Sequence, residues 1–134
     1  MIRYSFLWSR EARTGAAEGR KDRPCAIMVA APRDRNGNVR VVVVPVTHAA
    51  PADPATAVAL PPTVKASLGL DAAEPSRICL DELNVFAWPG YDFRPIPGTE
   101  RYSYGVLPEG LFKQVRDGIV ALRRAERTRQ VLRD

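Results

Sequence analysis

The chain has no run of about 18 apolar residues, the length a membrane-spanning helix requires, so no membrane contact is expected. Its two cysteines, Cys25 and Cys79, stand 54 positions apart. That spacing forms neither a disulfide framework nor a zinc motif, and both lie in apolar strand patterns that suit inert core thiols. There is no internal repeat and no linker-like stretch, which leaves residues 1–134 as a single domain large enough to bury a core. The apolar stretch Met1–Trp8 is too short, and too soon followed by charge, for a signal peptide. A reducing cytoplasm is the expected setting. The absence of strand–helix alternation argues against a doubly wound parallel sheet.

Charge is unevenly spread. Residues 1–40 carry 9 Lys/Arg against 4 Asp/Glu, residues 41–112 carry 4 against 8, and residues 113–134 carry 7 against 3. Two basic blocks thus flank an acidic middle, and basic patches attract polyanions, nucleic acid first among them.

The central stretch runs from Arg20-Lys21-Asp22-Arg23-Pro24 into the apolar Cys25–Ala31. Pro24 fixes its own φ, biases Arg23 toward extended backbone and suits the first position of a strand. Arg23 is therefore expected at the lip of a sheet, its guanidinium free to meet an anion. Ile2–Trp8 reads as a first strand and Ser9–Asp22 as a long polar loop. Asn36-Gly37 marks a hairpin turn. Val39–Val44 reads as a buried central strand that Pro45 ends, with Thr47 and His48 at its exit.

Further on, Ala57–Leu60 is a short strand and Pro61–Leu68 a helical turn stopped by Gly69. Arg77–Leu83 is another strand, the segment 84–98 is irregular, and Tyr102–Val106 is a last strand. Pro108 opens one amphipathic helix with Leu111, Phe112, Val115, Ile119 and Leu122 on one face. Beyond Leu122 the arginines read as a solvated end that can meet an acidic partner. The expected fold is mainly β with a C-terminal helix, as a small antiparallel sheet or barrel.

A Trp-ending first strand, a Gly-containing polar loop with Glu18, Arg23-Pro24 ahead of the apolar Cys25–Ala31, a hairpin, and Val41–Val44 closing in Pro45-Val46-Thr47 follow one another in this order. This order resembles the MazF/PemK family of toxin ribonucleases from bacterial toxin–antitoxin pairs. The resemblance covers about half of the chain. It departs at Ile2-Arg3-Tyr4, where the family has a Gly-acidic opening, and across 84–97.

The resemblance implies a small SH3-like barrel of the CcdB/PemK type and a homodimer. It implies a cytoplasmic endoribonuclease (mRNA interferase) that cuts single-stranded RNA without metal or other cofactor, and a cognate antitoxin whose acidic tail covers the RNA site. It makes Arg23, Thr47 and Glu18 the catalytic candidates. Arg20, Lys21 and His48 are candidates for substrate binding. Metal-free RNA cleavage needs a base for the 2′ proton, cations for the phosphorane and a proton for the leaving oxygen. With one histidine in the chain, a two-histidine mechanism is excluded. Arg23 suits the phosphorane oxygens, Thr47 the phosphate or the 2′-OH, and Glu18 the base. Trp88 and Tyr91 can stack bases, although core or interface packing is the preferred reading of both. Two alternatives stay open: a non-catalytic SH3-like module that binds RNA or a protein tail, and a CcdB-like gyrase poison. The latter lacks its Trp-Gly-Ile chain end here.

Overall fold

A computed structural model describes residues 1–16, 19, 21–33, 35–71, 73–88 and 94–133, with residues 29–33 described by their backbone alone. The strands are β1 (Ile2–Ser5), β2 (Asp22–Arg33), β3 (Val39–Thr47), β4 (Ala57–Ala59), β5 (Arg77–Cys79), β6 (Glu82–Trp88) and β7 (Arg129–Arg133). The helices are α1 (Ser9–Arg13), α2 (Pro62–Ser67) and α3 (Glu109–Arg124), with a 3-10 turn at Pro54–Thr56.

The fold is mainly β, as expected. The seven strands form one mixed sheet whose hydrogen-bonded path does not close on itself among the described residues. β3 is its spine. It pairs with β2 along one edge, and along the other first with β6 and then with β5. The consecutive valines follow from this central position. Val41 and Val43 enter a cluster with Ile2, Tyr4, Phe6, Trp8 and Phe86. Val44 and Val46 enter a second one with Met28, Ile78, Leu80 and the helices. A strand with an apolar layer on each face needs β-branched residues at successive positions rather than at alternate ones. The Asn36-Gly37 hairpin forms as expected, with Gly37 at φ +79°.

Several elements depart from the sequence pattern. The first strand stops at Ser5, and Trp8 instead caps α1, a helix inside the stretch expected to be loop. Glu11 fixes that cap by accepting the Trp8 backbone N–H at 3.2 Å. β2 begins at Asp22, which makes Pro24 its third residue, and it runs two residues past Ala31. β3 continues through Pro45 to Thr47. Pro45 is tolerated because it falls between Val43, opposite β6, and Val46, opposite β5, where the strand changes partner. The expected strand Arg77–Leu83 divides at Leu80-Asp81 into β5 and β6, and β6 takes the start of the segment expected to be irregular. The expected strand Tyr102–Val106 is reduced to a single bridge between Ser103 and Ile2.

The largest departure lies beyond α3. The helix packs as its spacing predicts, with Val115 and Leu122 buried and Leu111, Phe112 and Ile119 against the same core. The arginine-rich segment after it is not a loose end but β7, paired in parallel with β6. A β6–α3–β7 crossover thus adds a parallel pair to a sheet that is otherwise antiparallel.

The turn out of α3 is a Schellman motif. The Arg127 N–H reaches the Leu122 carbonyl at 2.8 Å and the Glu126 N–H reaches the Arg123 carbonyl at 3.0 Å. Glu126 occupies its left-handed position at φ +56°, where a side chain costs on the order of 1 kcal/mol relative to glycine. Glu126→Gly is therefore expected to raise the unfolding free energy by up to about 1 kcal/mol, as read by urea denaturation. An unchanged or lowered midpoint would contradict this account of the turn.

Candidate functional site

The antiparallel register of β2 and β3 pairs Ile27 with Val43, Ala26 with Val44 and Cys25 with Pro45, and there it stops. The next pair of the register would be Pro24 and Val46, and Pro24 has no N–H to give to that ladder. β3 turns to β5, while Asp22–Pro24 stays with β1. The next positions of the same register on the same face are Arg23 and Thr47. They stand at the place where the two strands part, and both line a cleft of about 500 Å³. The remaining wall includes Trp8 and Arg10, the 49–53 loop, Cys79 and Asp81, and Arg127 and Arg129 at the entry to β7.

Arg23 reaches toward the gap that the ladder leaves. Its Nη1 donates to the Val46 carbonyl at 3.4 Å, a long bond. Its Cζ lies 5.1 Å from the centroid of the Trp8 ring. Its Nε is buried with no hydrogen-bond partner among the described residues. Burial lowers its pKa, while the neighbouring Cys25 and Glu11 act in the opposite direction; an arginine stays charged regardless. The result is a cation with donors left over at the edge of a cleft, the condition under which an incoming anion is bound most strongly.

Thr47 Oγ1 accepts the Ala49 N–H at 3.1 Å. That bond orients the side chain and leaves its own O–H to donate. Arg127 is partly engaged, since its Nη2 donates to the Asp53 carboxylate at 2.5 Å and holds that acid below the usual carboxylate range. Across the cleft the Cys79 thiol donates to Asp81 Oδ1 at 3.0 Å. Burial first, and then the hydrogen bond to Asp81, push the Cys79 pKa up to about 12. Burial likewise raises that of Cys25. Neither sulfur is a thiolate near neutral pH, in keeping with inert thiols.

The sequence-derived candidates therefore divide. Arg23 and Thr47 come together. Glu18 and Arg20 lie outside the described residues. Lys21 is exposed at the threshold of β2 and does not line the cleft. His48 turns the other way, with Nδ1 3.0 Å from the Pro75 carbonyl, 3.3 Å from Ser76 Oγ and 3.9 Å from the Glu74 carboxylate. Asp22 is not a partner of Arg23; it pairs with Arg3 and Arg94. Four cleft residues escaped sequence reasoning: Trp8, Arg10, Arg127 and Arg129. Arg10 lay in an apparent loop and the other two arginines in an apparent solvated end. The one available signal was their sign, shared with the N-terminal basic block.

Trp8 is held on both sides by buried polar groups of β6. Asn84 accepts the Leu7 N–H at 2.9 Å and donates to the Leu7 carbonyl at 2.7 Å. Glu82 accepts the Ser9 N–H at 3.0 Å and the Ser9 hydroxyl at 2.6 Å. Arg133 completes the network, donating to Asn84 Oδ1 at 3.0 Å and to the Ser5 carbonyl at 2.8 Å. A fully paired buried network of this kind is rigid, and removing one member leaves several groups unpaired.

Asn84→Ala is accordingly expected to cost about 3 kcal/mol of stability and to shift the near-UV circular dichroism of Trp8 in the folded fraction. A loss below about 1 kcal/mol in urea denaturation would show that the network does not hold this segment. The chain matches no protein-family model, no curated protein and no solved structure.

Proposed function

We propose that the chain is the toxin of a toxin–antitoxin pair: a metal-independent endoribonuclease of the MazF/PemK kind, acting in the cytoplasm on single-stranded RNA. The reading extends to an SH3-like barrel closing around the described sheet, to a homodimer, and to a cognate antitoxin that covers the cleft. The observation that carries it is the shared position of Arg23 and Thr47. One guanidinium with unused donors and one hydroxyl free to donate line a single cleft, among three more arginines.

The chemistry follows from those groups. The RNA 2′-OH attacks the adjacent phosphorus, a P–O2′ bond forms, the P–O5′ bond breaks, and a 2′,3′-cyclic phosphate remains. Negative charge grows on the non-bridging oxygens, where the Arg23 fork can take both. The Thr47 O–H donates to the same phosphate or holds the 2′-OH in line. The 2′ proton goes to a carboxylate, either Glu18 or Asp81, which lines the cleft. The departing O5′ takes its proton from water or from the acid so formed.

The test is incubation of antitoxin-free protein with long single-stranded RNA in EDTA. Fragments ending in 2′,3′-cyclic phosphate are expected. Arg23→Ala is expected to slow cutting about 10²–10³-fold, the cost of removing one preorganised donor, and Thr47→Ala to slow it as well. RNA that stays intact under these conditions overturns the nuclease; if it is bound yet uncut, the chain is an RNA-binding module.

A further inference from the structure

We infer that Arg10, Trp8 and Arg23 form a paired-cation site for two neighbouring phosphates of one RNA strand. In this site Arg10 grips the phosphate next to the scissile one, and Trp8 positions both guanidinium groups. This inference rests on the reading of the cleft as an RNA site.

Arg10 Cζ lies 4.8 Å from the Trp8 ring centroid and Arg23 Cζ lies 5.1 Å from it. One indole therefore holds two cations. Like charges in such proximity repel, and the presence of Arg10 acts to lower the pKa of Arg23. Cation–π attraction to the indole offsets part of this repulsion. A polyanion offsets the rest, because each phosphate it brings neutralises one of the pair.

The indole is not free to move away. Its backbone neighbours Leu7 and Ser9 are bonded to Asn84 and Glu82, and Phe6 packs edge-on against it at 5.3 Å. With 9% of its surface exposed, Trp8 is too covered to stack on a base, so its role toward RNA is to present cations. Arg10 has the reach for this. It is exposed on α1, lines the cleft, and has no carboxylate partner among the described residues.

The experiment uses a 2′-O-methylated RNA strand, which cannot cleave, and reads binding against salt. Trp88→Phe supplies a background in which Trp8 is the one tryptophan. In that background the Trp8 emission is expected to change as the strand saturates. Arg10→Ala is expected to weaken binding and to reduce the slope of log K against log salt by about 0.7, the share of one single-strand phosphate contact. It is also expected to slow cutting of ordinary RNA less than Arg23→Ala does. Arg10→Lys should restore most of the slope, since a point charge still neutralises a phosphate, and thermal melts of both variants check folding. An unchanged slope in folded Arg10→Ala overturns the paired site, even if RNA is cut in EDTA. A slope that falls as expected in a protein that never cuts RNA retains the site and overturns the nuclease. Failure of the protein to bind the strand at all overturns the paired site, and the cutting of ordinary RNA in EDTA decides the nuclease by itself.

Discussion

Two prolines mark where this protein has an opening. Pro24 on β2 has no N–H to continue the ladder to β3, and Pro45 on β3 stands where that strand changes partner from β6 to β5. β3 leaves for β5 and β2 stays with β1. The space between them opens into the cleft, where Thr47 of the spine and Arg23 of its neighbour line the wall. A ladder continued by two residues would bring the backbones at Arg23 and Thr47 to sheet spacing. The cleft thus begins as a fact about main-chain hydrogen bonding, and arginines from three parts of the chain line it.

A second constraint works from the opposite wall. β6 is buried, yet it carries Glu82 and Asn84 on the side that meets the Leu7–Ser9 segment. Buried polar groups are tolerated when every one is paired, and here the partners are mostly backbone groups that no strand serves. The network replaces the missing continuation of β1, carrying the chain from Ser5 to α1 while fixing the Trp8 ring. Arg133 joins from β7 and lies 5.4 Å over the Tyr4 ring, which links the last strand to the first.

How much of this was legible depended on local signals. The hairpin was readable because Asn36-Gly37 has few other uses, and the burial of Val41–Val44 because four β-branched residues in succession fit only a strand covered on both faces. α3 was readable from its period. Arg23 and Thr47 could be placed at the two strand ends, but their meeting depended on a register that no single stretch specifies. β7 was illegible for a physical reason. Arg129-Gln130-Val131-Leu132-Arg133 is charged at both ends, and its strand form comes from pairing with β6, 47 positions away at Glu82 and Arg129. α1 was hidden likewise, because a short helix in a Gly-containing polar loop owes its start to Trp8 and Glu11 rather than to a periodic apolar face. The order that resembles toxin ribonucleases contains Trp8 only as a strand end and does not contain Arg10; the packing around the indole brings the two together.

The parallel β6–β7 pair also bears on how the molecule comes into being. The bond from Arg133 to the Ser5 carbonyl spans 128 positions, among the longest closures the chain can make, and closures of this length are slow to form. On a ribosome, the segment around Trp8 waits for residues 129–133 to emerge before its polar network is complete. The wall that carries Arg127 and Arg129 is missing until the same moment. The cleft's set of arginines is therefore incomplete until residues 127–129 have been made and join Arg10 and Arg23.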